Sequence, residues 1–308
     1  MKKAYILLIL SSVFWGISFI MTKELFLTES NLTVTILITL RLAVATAVFI
    51  PILAFTHRLQ PLRKAPTGRM RLLRGDLKWF LLLALAEPFL YNLCETSGVQ
   101  LVSGSLSSVI VATIPLFVPF GMAAVYRERL RLPMLVGIAL SVIGVGIMLV
   151  GGEPVKGQIR GLAFLAGAVV IAVIYTLILV KIVDHYHPAV ITAYQNLIGL
   201  VYYLPLMLLV DASHIPFLSF SPKMLGLILA LGVLCSTLAY IFYNYGVRRL
   251  GASAACIFNN TIPIFSMIAA IAIGQESFNW AKFIGMCIVI GGVIISQRPY
   301  KKTVASKR

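Results

Sequence analysis

The sequence is short of charge, and this shortage excludes a soluble protein. Only 12% of its 308 residues are charged, whereas 60% are hydrophobic, and the mean hydropathy is +0.97. A soluble domain is about half apolar and about a quarter charged. A chain with so few polar side chains cannot cover its own surface toward water, so we expect it to lie in a lipid bilayer.

The signatures of enzyme and metal sites are also lacking. The four cysteines lie inside apolar runs without a C-x-x-C pair, so we expect them to be small buried side chains. There is no H-E-x-x-H motif, no recognisable Ser/His/Asp set and no acidic cluster in the apolar runs. The H-x-H pair of His185 and His187 has no third ligand nearby in the sequence. We therefore predict no enzymatic activity, no cofactor and no metal.

Acidic residues are scarce as well, 10 against 26 basic ones, which gives a net charge of +16. The basic residues lie between apolar runs, where positive-inside topology signals occur, so we predict no nucleic-acid partner. With the N-terminus inside, 20 of them fall in inner segments and five in outer segments, and Arg41 lies within a span. We expect a multi-pass protein of the cell inner membrane with both termini in the cytoplasm.

Ten apolar segments of about 20 residues each predict ten membrane helices. Because the runs are continuously apolar and do not alternate, they favour helices over a barrel. The first follows Met1-Lys2-Lys3 without an A-x-A-type cleavage site, so we interpret it as a retained span. The predicted spans are 4–22, 33–56, 77–97, 104–126, 132–151, 160–180, 188–210, 224–247, 252–274 and 279–297. The predicted fold class is an all-α membrane protein without a soluble domain.

The chain also repeats itself at a distance of 148 residues. Segment 98–149 matches segment 246–297 at 13 of 52 positions without a gap. The matches include Ser105 with Ser253, Pro115 with Pro263, Glu128 with Glu276, and the glycine pairs Gly98 with Gly246, Gly137 with Gly285 and Gly144 with Gly292. Five spans per half is an odd number, so the halves would insert in opposite orientations, as in transporters whose site lies between them.

This repeat divides the chain into two units and a tail. We assign 1–151 to the first repeat, with a basic cytoplasmic loop at 57–76, and 152–297 to the second repeat. Residues 298–308 form a basic cytoplasmic tail.

Several motifs in these units resemble a known family. They are Trp15-Gly16, Gly98-Val99-Gln100-Leu101, Ile114-Pro115-Leu116-Phe117, Arg127-Glu128-Arg129-Leu130 and the following glycine-rich span. Together they resemble the EamA domain of the drug/metabolite transporter superfamily, and the stretch from Gly246 to Gly292 resembles a second copy. The resemblance implies a ten-helix carrier with both termini inside, often an exporter of amino acids or other metabolites. It implies no particular substrate.

Two charged residues lie deep in predicted spans, Glu87 ahead of Pro88 and Arg41 at a similar depth. A charge at the bilayer centre costs roughly 2.5–3.5 kcal/mol or more, so both should face protein or water. Glu87 is a candidate proton carrier, a partner in a helix–helix hydrogen bond, or the counter-ion of Arg41. Arg41 is alternatively a ligand for a substrate carboxylate. For Glu95, two residues from the predicted outer end of its span, we expect snorkelling to the interface.

Polar and aromatic residues within other spans complete the candidate site. They are Trp15, Tyr91, Gln195, Tyr240, Tyr243, Asn244, Asn259 and Asn260. Interhelical hydrogen bonding is the alternative for the amides, and the interfacial belt for several tyrosines. Pro115 and Pro263 predict kinked helices that line the cavity and take part in gating, with a packing kink as the alternative.

Together these features predict a carrier of small organic metabolites, amino acids or similar, that works in efflux by alternating access. The expected partners are a small-molecule substrate and the lipid bilayer, with proton coupling open and a monomer or homodimer as the assembly. One alternative is a sugar-phosphate or nucleotide-sugar exchanger, although anionic phosphates would require more intramembrane cations than Arg41. A membrane enzyme or a sensor without transport activity are the others.

Overall fold

A computed structural model describes residues 2–59, 72–126, 132–150, 158–251 and 255–296, and its regular structure there is helical. The α-helices are α1 (Lys2–Thr28), α2 (Val34–Leu59), α3 (Leu77–Ala84), α4 (Tyr91–Leu101), α5 (Gly104–Val111), α6 (Ile114–Tyr126), α7 (Leu132–Val150), α8 (Gln158–Ile182), α9 (Pro188–Val210), α10 (Pro222–Ala230), α11 (Ala239–Leu250), α12 (Ile262–Ala272) and α13 (Trp280–Ser296). Short 3-10 helices lie at Arg74–Asp76, Ala212–Phe217 and Ile257–Thr261.

Each of the ten predicted segments contains helix in the described part of the chain, although several helices begin or end at other residues than predicted. Within the described part of the chain, six helical stretches are long and apolar enough to cross a membrane: Lys2–Thr28, Arg74–Leu101, Gly104–Val125, Gln158–Ile182, Pro188–Val210 and Pro222–Leu250. The other four segments contain shorter apolar helices at Val34–Phe49, Leu135–Leu149, Phe258–Ala272 and Trp280–Ile295. The all-helical architecture is confirmed, whereas the inverted ten-span topology stays a prediction. Most of the basic loop, the tail 298–308, and Glu128 and Ser253 of the repeat lie outside the described residues.

The third predicted span is interrupted between α3 and α4. Glu87 has an extended backbone there, with φ −139° and ψ 119°, inside a wide helical turn at Leu85–Leu90. Pro88 explains the interruption, because proline disfavours the helical conformation for the residue that precedes it. A second wide turn, at Leu231–Leu238, joins α10 to α11.

The two repeated prolines also stand at interruptions. α5 ends at Val111, and Pro115 is the second residue of α6, which starts at Ile114. Pro263 is likewise the second residue of α12, which follows the 3-10 helix Ile257–Thr261. The first turn of a helix tolerates proline because its N–H groups have no intrahelical partner. Each proline thus begins a new helix after a break.

Helix α1 packs against elements of the other half of the chain. Ser11 Oγ donates to the carbonyl of Ala239 at 2.9 Å, and Ser12 Oγ donates to that of Phe258 at 2.8 Å. Gly16 permits this approach, because a Cβ there would lie 2.7 Å from the Cβ of Phe265. These contacts place the following turn of α1, with Trp15, at the centre of the bundle.

Candidate functional site

A cavity with charged, polar and apolar lining side chains lies within the helical bundle, with about 640 Å³ of empty space including its opening. It is lined by α1, α2, the interrupted third span, the break between α5 and α6, α8, α11 and the start of α12. The lining residues are Trp15, Ser18, Phe19, Arg41, Glu87, Tyr91, Asn92, Glu95, Val111, Ile114, Ala172, Tyr175, Thr176, Tyr240, Tyr243, Asn259 and Ile262.

Three charged side chains face this cavity. Arg41 is 5% exposed, Glu87 is 3% exposed and Glu95 is 9% exposed. The expected snorkelling of Glu95 is therefore wrong. We predicted a span that ends at residue 97, but α4 continues to Leu101. Glu95 consequently lies six residues, or about 9 Å, below the end of its helix.

The predicted ion pair between Arg41 and Glu87 is replaced by two separate hydrogen bonds. Arg41 Nε donates to Ser236 Oγ at 2.5 Å. The hydroxyl of Tyr240 donates to Glu87 Oε1. Among the described side chains, no ion pair joins Arg41 to Glu87.

An aromatic cluster adjoins Glu87. The ring of Trp15 lies 5.0 Å from that of Tyr240 and 5.2 Å from that of Tyr243, measured between centroids. The hydroxyl of Tyr243 is 3.0 Å from the sulfur of Cys256, which fixes this ring on the cavity wall. The chain thus presents three aromatic rings beside a buried carboxyl group.

Three polar atoms of the cavity have no hydrogen-bond partner within the part of the chain that the structure describes. They are Glu87 Oε2, the hydroxyl of Tyr175 and Asn259 Oδ1, and all three are buried. An unsatisfied buried polar group costs about 1–3 kcal/mol, and more when it is charged. The cavity is therefore suited to hold water or a ligand that supplies hydrogen-bond donors.

The structure places seven of the predicted site residues in the cavity wall: Trp15, Arg41, Glu87, Tyr91, Tyr240, Tyr243 and Asn259. The others lie elsewhere. Gln195, Asn244 and Asn260 are buried between helices, where Asn244 Nδ2 donates to Thr192 Oγ1 at 3.1 Å. Pro115 and Pro263 are not among the described lining residues, although their chain neighbours Ile114 and Ile262 are.

Sequence reasoning missed several lining residues, most clearly Glu95 and Asn92. Glu95 follows Tyr91 by four residues, a spacing that places two side chains on one face of a helix. The spacing thus indicates that Glu95 faces the same side as Tyr91, although its expected depth in the membrane favoured the interface. Ser18 and Thr176 carry no comparable signal, because small hydroxyl side chains are common throughout apolar helices.

A second polar region lies at the end of the bundle that the topology predicts to be outside. Glu276 accepts hydrogen bonds from the backbone N–H of Ser105 at 3.2 Å, from Ser105 Oγ at 2.7 Å and from Lys282 Nζ at 2.6 Å. Burial of the carboxyl opposes its ionisation, but the bonds from Lys282 and Ser105 outweigh burial and lower the pKa of Glu276. Gln275 Nε2 also donates to Glu24 Oε2 at 2.6 Å.

At the opposite end, the two halves are joined around one tyrosine. The hydroxyl of Tyr186 donates to Asp76 Oδ2 at 2.6 Å and accepts from the backbone N–H of Leu73 at 3.2 Å. Arg248 Nη1 donates to the carbonyl of Tyr186 at 3.4 Å. The central cavity therefore lies between two sets of contacts, and each set links residues of both repeats.

A buried, charged cavity inside a bundle of apolar helices is the arrangement expected of a membrane transport protein. Residues 2–150 and 159–297 each match the EamA-like transporter family. The chain therefore belongs to this family and contains two EamA domains, so the resemblance found from the motifs is confirmed.

Individual relatives agree with this assignment. The chain is 25% identical over 296 residues to an uncharacterized transporter of Archaeoglobus fulgidus, covering 96% of this chain and 99% of that protein. It is also 25% identical over 233 residues to the uncharacterized transporter YetK of Bacillus subtilis, covering 74% of this chain and 70% of that protein. A solved structure, described only as the crystal structure of a protein, is similar in fold with a TM-score of 0.64 and 17% identity, over 93% of this chain and 97% of that one. The protein is thus a multi-pass membrane transporter.

Proposed function

We propose that the protein is an inner-membrane carrier that exports small organic metabolites, such as amino acids or similar compounds, by alternating access. The observation that carries this proposal is the buried cavity, to which both repeats contribute. Arg41 and Glu87 come from the first repeat, and Tyr240 and Asn259 come from the second. A site between two related halves can be opened to each side in turn when the halves rock against each other.

Packing between α7 and α13 supports the relation between the halves. A Cβ at Gly144 would lie 2.6 Å from the carbonyl oxygen of Gly285, and a Cβ at Gly292 would lie 2.7 Å from that of Gly137. The 148-residue repeat pairs Gly144 with Gly292 and Gly137 with Gly285. The contact of Gly144 with Gly285 in one helix pair is therefore equivalent to the contact of Gly292 with Gly137. The wide turns are also equivalent, because residues 85–90 correspond to 233–238, which fall within Leu231–Leu238.

The contacts at the two ends of the cavity supply the gates of this mechanism. Outward opening requires separation of Glu276 from Ser105, and inward opening requires separation of Tyr186 from Asp76. Because each contact stabilises closure at its own end, loss of one contact should favour opening at that end.

We expect Glu276→Gln to shift the carrier toward the outward-open state. A hydrogen bond to a charged group contributes about 1.5 kcal/mol or more, which corresponds to about a tenfold change in an equilibrium. The measurement is labelling of Ser18→Cys in the cavity by an impermeant maleimide added outside intact cells, in a background whose four cysteines are replaced by alanine.

Tyr186→Phe is the matched variant at the inner end, and it should lower the same labelling. Asp184→Asn, an exposed change in the α8–α9 loop, should leave the labelling unchanged. Equal labelling in the Glu276→Gln and Tyr186→Phe variants would contradict the assignment of these contacts as gates.

Transport itself is tested with the purified protein in liposomes. Net flux of an amino acid or similar metabolite supports a carrier, conversion of the solute supports an enzyme, and binding with neither supports a sensor. The sugar-phosphate alternative is disfavoured by charge, because the described lining of the cavity contains one cation, Arg41, and two carboxylates. Measurable export from cells that overproduce the protein, compared with cells that lack it, establishes the direction.

The proposed topology makes a separate prediction. Reporters fused at Lys2, within 57–76 and after Arg298 should all be cytoplasmic, and a reporter within 212–221 should be periplasmic. The physical reason is the excess of basic residues in the inner segments. A periplasmic C-terminus would require an odd number of spans and would contradict the ten-span arrangement.

A further inference from the structure

We propose that the cavity selects a substrate that carries one net positive charge on an amine or ammonium group. This inference rests on the proposed carrier function and names the chemical class that the same cavity accepts. It follows from the balance of charge in the cavity, from the free oxygen of Glu87 and from the aromatic rings beside that oxygen.

The charged side chains of the cavity are unequal in number. Among the described residues that line it, they are one guanidinium, Arg41, and two carboxylates, Glu87 and Glu95. All three are less than a tenth exposed. With all groups ionised the cavity carries one net negative charge, and a buried charge without a partner is strongly unfavourable. A monocation neutralises this charge, a zwitterion leaves it in place and an anion increases it.

Neither carboxylate has an ion-pair partner among the described side chains. Arg41 forms no ion pair with Glu87 or with Glu95 there, and its Nε donates to Ser236 Oγ instead. A cationic ligand could therefore supply the partner that these carboxylates lack.

The hydrogen bonds of Glu87 leave room for such a partner. Oε1 accepts from the hydroxyl of Tyr240, while Oε2 is buried and has no partner among the described residues. An ammonium group donates several hydrogen bonds and accepts none, so it matches a free carboxylate oxygen. A charge-assisted bond of this kind is about twice as strong as a neutral one.

The aromatic cluster favours the same ligand. The ring centroid of Trp15 lies 5.0 Å from that of Tyr240 and 5.2 Å from that of Tyr243, and the hydroxyl of Tyr240 donates to Glu87. Ring faces attract cations within about 6 Å, most strongly when the site is shielded from water. Phe19 and Ile262 also line the cavity, and their apolar side chains suit an apolar body attached to the amine.

The test uses four ligands that share a phenyl body and differ in charge. They are 2-phenylethylamine, phenylalanine, 3-phenylpropanoate and 2-phenylethanol, each titrated at pH 7 into the purified full-length protein in detergent and followed by calorimetry. We expect the amine to bind at least tenfold more tightly than any of the other three. Equal or tighter binding of phenylalanine or 3-phenylpropanoate would overturn the inference, and so would absence of saturable binding of the amine.

Three variants test whether the preference for the amine depends on the carboxylate of Glu87. Glu87→Gln should remove the preference for the amine over 2-phenylethanol, whereas Asp184→Asn should retain it in full. Trp15→Leu keeps the carboxylate and removes one ring, so it should reduce the preference without abolishing it. The charge series on the unmodified protein decides the inference even where a variant does not fold.

Flux in liposomes separates this inference from the proposed function. Tight binding of the amine without flux of any of the four compounds would overturn the carrier function and leave the charge preference standing. Flux of phenylalanine in preference to the amine would support the carrier function and overturn the charge preference, because the carrier would then have a different selectivity.

Discussion

Glu87→Gln is expected to lower substrate flux by about thirtyfold or more while the protein still folds. Glutamine has nearly the size of glutamate and can still accept the hydrogen bond from Tyr240, so the packing around α3 and α4 is retained. What is lost is the negative charge, and removal of one partner of a buried charged contact costs roughly 2–5 kcal/mol. A loss of 2 kcal/mol corresponds to about thirtyfold. The measurement is initial flux in liposomes at equal amounts of inserted protein.

Tyr240→Phe is the comparison that separates charge from hydrogen bonding. It removes the donor to Glu87 Oε1 but leaves the carboxylate, so we expect a fall of about tenfold or less, in keeping with a single hydrogen bond. A fall as large as that of Glu87→Gln would mean that the hydroxyl, and not the charge, is decisive.

The structural alternative for Glu87 predicts a different pattern. If Glu87 served only to balance Arg41, the single variant Glu87→Gln would leave a buried cation uncompensated and lose about 3–5 kcal/mol of stability. Adding Arg41→Gln would then restore folding and flux together. In the proposed carrier the double variant leaves Glu95 as the remaining carboxylate without Arg41, so it does not recover flux, because the charge that binds substrate is missing.

The sequence was sufficient to predict the helices and the two deepest charges, and insufficient to predict their partners. Each apolar run is long enough to be recognised without tertiary information, and a charge in such a run must face the interior. The partner of Arg41, however, is Ser236, 195 residues away on another helix. Which residue becomes the partner of Arg41 depends on the orientation of each helix about its own axis in the packed bundle.

Rotation also explains why Gln195, Asn244 and Asn260 were assigned to the cavity and are not found there. A membrane helix that is apolar on all sides gives little signal about which face points inward. Glu95 shows the converse, since its face was evident from Tyr91 but its depth was misjudged from the length of the helix. The depth of a helix in the membrane and its orientation about its own axis are determined by packing between helices. The sequence of a single helix does not predict either of them.

Substitution of the glycines between α7 and α13 is expected to have a large effect on stability. Gly285→Ala should destabilise the protein, because its Cβ would lie 2.5 Å from the carbonyl oxygen of Gly144. Backbone atoms cannot move aside as a flexible side chain can, and overpacking of this kind costs typically 1–3 kcal/mol. Gly291→Ala, on the same helix, meets nothing within 4 Å and should be neutral or stabilising by up to about 1 kcal/mol, since alanine favours helices over glycine. Thermal unfolding of the purified variants in one detergent provides the comparison.

The same helices test the relation between the two repeats. Gly144 and Gly292 are equivalent by the 148-residue shift, and a Cβ at each would approach a backbone carbonyl to 2.6 Å and 2.7 Å. Gly144→Ala and Gly292→Ala should therefore lower the unfolding temperature by similar amounts, while Gly146→Ala, which faces open space, should not lower it. A loss at only one of the two would show that the halves pack unequally. Because alternating access requires halves that can exchange conformations, equal losses would support the mechanism through stability alone, without any knowledge of the substrate.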